Sequence, residues 1–122
     1  TPPVFPIFTT LLTLRWLKNL GGVEAIESIN NQKAALIYNE IDRNSLFTGH
    51  ADIDCRSTMN ATFKLIDERH KDAFNEAWAS AGISGINGHR SIGGYRASMY
   101  NALPLESVKV LVDVMNELER TR

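Results

Sequence analysis

Residues 57–65 read Ser-Thr-Met-Asn-Ala-Thr-Phe-Lys-Leu, an alternation that puts Met59, Ala61, Phe63 and Leu65 on one face of an extended chain. The pattern then changes period. Asp67-Glu68 opens a segment in which Ala73, Phe74, Ala77, Trp78 and Ala81 recur at helical spacing, with acids at its N-terminus and Gly82 at its end. A half-buried strand running straight into an amphipathic helix predicts mixed α and β structure packed face to face.

Working outward, residues Phe5 to Leu20 carry Phe5, Phe8, Leu11, Leu12, Trp16, Leu17 and Leu20 at helical spacing. Arg15 and Lys18 lie near the end, where cations suit the helix dipole, and Gly21-Gly22 stops the helix. Its apolar residues cover more than one stripe, which predicts packing against two bodies. A second helix is expected from Val23 to Arg43, with Ile26, Ile29, Leu36, Ile37 and Ile41 inward. Asn44 to Arg56 reads as a loop. Downstream, Ile83 to Ile86 reads as a short strand, Gly88 to Gly94 as a polar loop and Tyr95 to Tyr100 as a strand. Pro104 suits the first turn of a last helix with Leu105, Val108, Leu111, Val112, Met115 and Leu118 inward. The predicted order is α-α-β-α-β-β-α. It implies an α+β two-layer sandwich, with helices on one face of a small, mostly antiparallel sheet.

The chain of 122 residues is the size of one domain and can bury a core without disulfides or metals. It is 43% hydrophobic and 22% charged, which excludes global disorder. Thirteen basic and fourteen acidic residues nearly balance, against the basic excess of a nucleic-acid binder. One cysteine, Cys55, excludes an internal disulfide framework and fits a reducing, cytoplasmic compartment. No apolar run reaches the length of a membrane span. The opening Thr1-Pro2-Pro3, with no initiator Met or leader, is expected of a piece of something longer.

The densest polar stretch is 87–101, Asn-Gly-His-Arg-Ser-Ile-Gly-Gly-Tyr-Arg-Ala-Ser-Met-Tyr-Asn. On a strand beginning near Gly94, Arg96 and Ser98 share one face while Tyr95, Ala97 and Met99 share the other. A guanidinium on a rigid element, opposite the core, suits bidentate capture of a carboxylate. His89 and Arg90, on the glycine-flanked loop, suit an oxyanion such as phosphate. The plain alternative is a solvated hairpin. No other centre emerges. Cys55 and His50 are unrelated loop residues, and His50, His70 and His89 lack zinc-ligand spacing. Glu24, Glu27, Glu40, Asp67, Glu68 and Asp72 read as solvated helix faces. No lysine among Lys18, Lys33, Lys64, Lys71 and Lys109 has a motif around it that nominates it for covalent work.

Several stretches in this order resemble phosphoserine aminotransferase: Thr1-Pro2-Pro3, Trp16-Leu17-Lys18 with Gly21-Gly22-Val23-Glu24, Ser57-Thr58-Met59-Asn60, Gly88-His89-Arg90 and Gly93 to Ala102. The similarity covers essentially the whole chain but only the family's C-terminal third. The resemblance implies the small C-terminal domain (21–122) of a fold-type I aminotransferase, preceded by a connector helix (1–20) from a large cofactor domain. It implies a homodimeric enzyme that uses pyridoxal 5'-phosphate, interconverts O-phosphoserine plus 2-oxoglutarate with 3-phosphohydroxypyruvate plus glutamate, and serves serine and pyridoxine synthesis. In such enzymes the cofactor joins a lysine of the large domain. That lysine lies upstream of the matched segment, so the chain alone is expected to be inactive. Arg96 would bind the substrate α-carboxylate. His89 and Arg90 would bind substrate phosphate in the neighbouring subunit's site, and Thr1 would contact the cofactor phosphate, although the asparagine that precedes it in the family is missing here. The other reading is a free-standing α+β binding or interaction module that reuses the fold. The reading frame upstream of Thr1 separates the two.

Overall fold

The computed structural model describes all 122 residues. Helix α1 spans Val4–Leu20 and α2 spans Gly22–Arg43, with Gly21 in the left-handed region (φ 116°) between them. Strand β1 (Phe47–Gly49) and a short 3-10 turn (Ile53–Cys55) lead to β2 (Asn60–Leu65). A second 3-10 turn (Glu68–His70) enters α3 (Lys71–Ser80), then come β3 (Tyr95–Ser98) and α4 (Leu105–Arg120). The sheet order is β1-β2-β3, antiparallel throughout, with Phe47 opposite Leu65 and Thr62 opposite Arg96.

Every buried strand residue lies on one face. Phe47, Ala61, Phe63, Leu65, Tyr95 and Ala97 meet Ile37 and Ile41 of α2, Phe74 of α3, and Val108, Leu111, Val112, Met115 and Leu118 of α4. Phe47, Phe63, Phe74 and Tyr95 interlock, with ring centroids between 4.8 and 6.4 Å apart. The two-layer α+β sandwich is therefore as expected, and the opposite face of the sheet is left uncovered by helices.

The strand order differs from expectation. The third strand precedes β2 instead of following α3. Phe47-Thr48-Gly49 is too short for an alternation to declare it, and its pairing with β2 makes it a strand. Ile83–Ile86 forms no strand, because Gly82 (φ 77°) and Gly85 (φ 70°) break the extended run. Only an isolated bridge from Asn87 to Tyr95 and the bond from Arg96 N–H to Ile86 O (2.7 Å) survive there. Asp67 does not start a full α-helical turn. Its carboxylate accepts from Arg69 N–H at 2.9 Å, and its ion pair with Arg69 holds the carboxyl down at about 2.

The reading of Glu40 is corrected, and Lys33 is buried on the same helix. Glu40 is only 5% exposed, not on a solvated face, and accepts bonds from Arg43, Asn44 and Asn116. Lys33 is 0% exposed. Ala81 and Leu105 are not buried in the core. Helix α1 packs against α2 but buries no side chain, and Phe5 is 74% exposed. No helix is long and apolar enough to cross a membrane.

Candidate functional site on the open face of β3 and its preceding loop

Alternation divides β3 cleanly. Tyr95 and Ala97 are buried, as is Met99 just beyond, while Arg96 is exposed and Ser98 partly so. Arg96 thus projects from the sheet face away from the helices, on a strand whose inner side is fixed by the core. Tyr95 adds an anchor, since its hydroxyl donates to Asn75 Oδ1 (3.0 Å), which also accepts from Trp78 Nε1 (3.1 Å).

The loop before β3 is tied shut at its base, where Gly88 N–H donates to Gly94 O at 2.8 Å. A Cβ on Gly88 would overlap the Gly93 carbonyl oxygen. Gly94 has φ 65°, and a Cβ there would lie 2.6 Å from Phe63 O. Both positions require glycine for this close approach. Inside the loop, Ile92 and Gly93 N–H groups both donate to His89 O, at 3.0 and 2.8 Å. Ser91 N–H donates to His89 Nδ1 at 3.3 Å, and the Ser91 hydroxyl lies 2.7 Å from the same nitrogen. With Nδ1 accepting from Ser91 N–H, Nε2 is the ring nitrogen left to donate.

Four of the eight arginines are paired and four, Arg15, Arg90, Arg96 and Arg122, are not. Arg43, Arg56, Arg69 and Arg120 each pair with a carboxylate, Arg56 with two 2.7 Å bonds to Asp42 while stacked over Tyr38. Arg90 and Arg96 have neither an ion pair nor a side-chain hydrogen bond, although both are within easy reach of solvent. The guanidinium forks of the candidate site are unspent.

The exit from β3 is held by Lys33, which sequence reasoning missed. Its ammonium donates to the carbonyls of Met99 (3.3 Å), Tyr100 (2.9 Å) and Leu103 (3.1 Å), and burial holds its pKa below the ordinary lysine value. Next to it, Asn30 Nδ2 donates to Asn101 Oδ1 at 2.8 Å. The signal was present in the spacing, because residue 33 sits on the Ile26–Asn30–Ile37 stripe of α2. Thr1 is exposed ahead of α1, and no hydrogen bond or ion pair joins it to the loop or to β3. Cys55 and His50 are exposed, and no group of three His, Cys, Asp or Glu side chains gathers where a metal could sit.

The comparisons with known proteins agree with one another. The chain is 69% identical over 119 residues to phosphoserine aminotransferase of Flavobacterium psychrophilum and 58% identical over 119 residues to that of Flavobacterium johnsoniae. Each alignment takes in 98% of this chain and 33% of the relative. Among solved structures, phosphoserine aminotransferase from Bacillus circulans subsp. alkalophilus superposes with a TM-score of 0.92 at 43% identity, over 100% of this chain and 34% of that one. The chain matches the C-terminal domain of phosphoserine aminotransferase. A phosphoserine aminotransferase from Trichomonas vaginalis described as bound to pyridoxal phosphate shares the fold at 34% identity and a TM-score of 0.85, over 95% of this chain and 34% of that one. No family profile matches the chain. It spans about a third of the length of the phosphoserine aminotransferases it resembles.

The residues present do not build a seat for that cofactor. Lys33, the one buried lysine, has its three N–H bonds committed to carbonyls. Lys64 stands exposed on the open sheet face, and Lys18, Lys71 and Lys109 are exposed on helices, the last two paired with Glu68 and Glu106. None of the larger clefts is lined by a lysine.

Proposed function

We propose that this chain is the substrate-recognition domain of a phosphoserine aminotransferase, a cytoplasmic homodimer that moves an amino group between glutamate and 3-phosphohydroxypyruvate. In the whole protein pyridoxal phosphate supplies the electron sink for carbanion chemistry, and the protein supplies positioning and charge. The pathway served is serine synthesis, with pyridoxine synthesis beside it. The observation that carries this reading is Arg96, an unpaired guanidinium on the outer side of a strand whose inner side is core, within a segment matched from end to end by these enzymes.

Each residue then has a task set by its chemistry. Arg96 grips the α-carboxylate common to glutamate and phosphoserine with two parallel N–H donors, fixing the orientation of the α-carbon. Arg90 and His89, whose Nε2 is left to donate, bind the phosphate of a substrate held in the neighbouring subunit. Thr1 would contact the cofactor phosphate in the whole protein. Helix α1 is the connector (1–20), and its exposed Phe5, Phe8 and Leu12 are the surface that meets the large domain, with 21–122 as the small domain.

The test is kcat/KM for glutamate and phosphoserine in the full-length protein carrying Arg96→Lys, Arg90→Ala or His89→Ala. Losing the fork leaves a partly desolvated carboxylate without its partner, which costs about 2–5 kcal/mol. Arg96→Lys is expected to depress both donors, because a point charge cannot reproduce the fork. Arg90→Ala and His89→Ala are expected to depress phosphoserine more than glutamate. Near-normal values for Arg96→Lys, or equal losses for Arg90→Ala, overturn this division of labour.

A further inference from the structure

The three strands contain no acidic residue. Their outer face carries Thr48 from β1, Asn60, Thr62 and Lys64 from β2, and Arg96 and Ser98 from β3. The two ends of this face differ. At one end the polar groups satisfy each other, with Ser98 Oγ donating to Asn60 Oδ1 at 3.0 Å. At the other end Thr48, Thr62, Lys64 and Arg96 have no side-chain hydrogen bond, and neither cation has a carboxylate partner.

Register places the two cations together. Arg96 is directly opposite Thr62, and Lys64 is two residues further along β2 on the same face. Such diagonal neighbours stand about 7–8 Å apart at Cα, within reach of each other's long side chains. The base of the 88–94 loop adjoins this spot, since a Cβ on Gly94 would lie 3.2 Å from Lys64 Cβ. Adjacent like charges on a sheet face repel, and nothing in the chain neutralises this pair. An anion placed between them turns the repulsion into attraction for both.

We infer that Lys64, with the Thr62 hydroxyl beside it, completes a two-cation seat for a carboxylate on the outer face of the sheet around Arg96. This rests on the reading of Arg96 as a carboxylate-binding residue and adds a second, unassigned contact to it. The two cations contribute differently. The Arg96 fork fixes orientation, whereas the Lys64 ammonium is a compact charge on a flexible stem that raises affinity without fixing geometry. Lys64 therefore acts on KM and on salt dependence, and Arg96 acts on both KM and kcat.

The experiment uses the full-length protein and glutarate, a dicarboxylate without an amino group to transfer, with its dissociation constant read by calorimetry at two salt concentrations. Lys64→Met is expected to weaken glutarate about fivefold at low salt, the upper range for a solvated ion contact, and less at high salt. The same variant is expected to raise KM for glutamate more than it lowers kcat, and Lys64→Arg is expected to restore both values to within about twofold. Lys71→Met makes the same charge change on α3, away from the sheet, and controls for net charge. Lys64→Met binding glutarate like the parent, or Lys71→Met losing as much, overturns the two-cation seat. If Arg96→Lys also binds normally, the reading of Arg96 falls with it. If Arg96→Lys fails and Lys64→Met does not, only the role of Lys64 falls.

Discussion

Helices α1 and α4 are nearly equal in length, 17 and 16 residues, and their side chains lead opposite lives. Helix α4 alternates apolar and charged residues at a period that gathers Val108, Leu111, Val112, Met115 and Leu118 on one stripe, all buried. Helix α1 is richer in apolar residues yet buries none. Its Val4, Phe5, Ile7, Phe8, Leu11, Leu12 and Leu14 cover about half of the circumference, and Trp16, Leu17 and Leu20 carry apolar surface around the rest, so a single neighbour cannot cover them all. What decides burial here is the angular pattern of apolar residues, not their number. The core made by α2, α3, α4 and the sheet is complete without α1, and the chain's unfinished surfaces are α1 and the outer face of β2 and β3.

The comparison breaks most visibly at matched positions. Met115 is 0% exposed and Phe8 is 53% exposed. Met115→Ala is expected to lower unfolding free energy by about 2–5 kcal/mol through lost burial and the cavity left behind. Phe8→Ala is expected to change it by no more than about 0.5 kcal/mol, although a larger side chain is removed. Urea unfolding of the 122-residue chain followed by circular dichroism measures both. Comparable losses would mean that α1 belongs to the cooperative core.

A polar version of the same contrast is Lys33 on α2 against Lys18 on α1. Lys33→Met leaves three carbonyls without their donor and is expected to cost about 3 kcal/mol, while Lys18→Met is expected to be neutral within about 0.5 kcal/mol. Lys33→Arg is not expected to rescue, because a wide planar group does not fit a site shaped for an ammonium. Amide exchange at Met99 to Leu103 should quicken in Lys33→Met if the ammonium is what holds the exit of β3. Unchanged exchange there would deny that role.

The exposed apolar surface of α1 also predicts behaviour in solution. Contiguous apolar surface of this kind drives association. The isolated chain is expected to self-associate in sedimentation equilibrium, and Leu12→Lys is expected to weaken that association about tenfold, or about 1.4 kcal/mol. A chain that stays strictly monomeric at high concentration would show that α1 covers its own apolar surface.

Periodicity carried most of the fold. The helices α2 and α4, the inward face of β2 and the opposed faces of β3 are all legible in residue spacing, and so is Arg96 as an outward cation on a rigid strand. Three things were not. Strand β1 is three residues long and exists through its partner. The 83–86 segment looks like a strand until Gly82 and Gly85 adopt positive φ, which composition alone does not announce. Lys33 and Glu40 lie on the buried stripe of α2; as sequence, Glu40 reads as solvated and Lys33 has no place assigned, and only the facing carbonyls and amides show why burial is tolerated. At the candidate site the residue types were legible, whereas the tied base of the 88–94 loop and the hold of Ser91 on His89 Nδ1 depend on backbone geometry that spacing does not encode.

The smallest expected effect tests the inner side of β3 against its outer side. Burial, aided by the Glu68 and Asp72 carboxylates, pushes the Tyr95 phenol up to about 12 from an ordinary 10. A folded-state pKa above the unfolded one means that the native protein keeps a proton the unfolded chain has released. That part of the stability is therefore complete below pH 10 and is lost as pH rises toward 12. Discounted for solvent screening, the loss is about 1 kcal/mol. Tyr95→Phe removes the titrating group and the bond to Asn75, so the variant should be less stable at neutral pH and the gap to the parent should narrow between pH 10 and 11.5. Urea unfolding across that range reads the gap directly. A constant gap would mean that the phenol ionises as freely as an exposed tyrosine, and that the inner side of β3 is wetter than its packing against Phe63 and Phe74 implies.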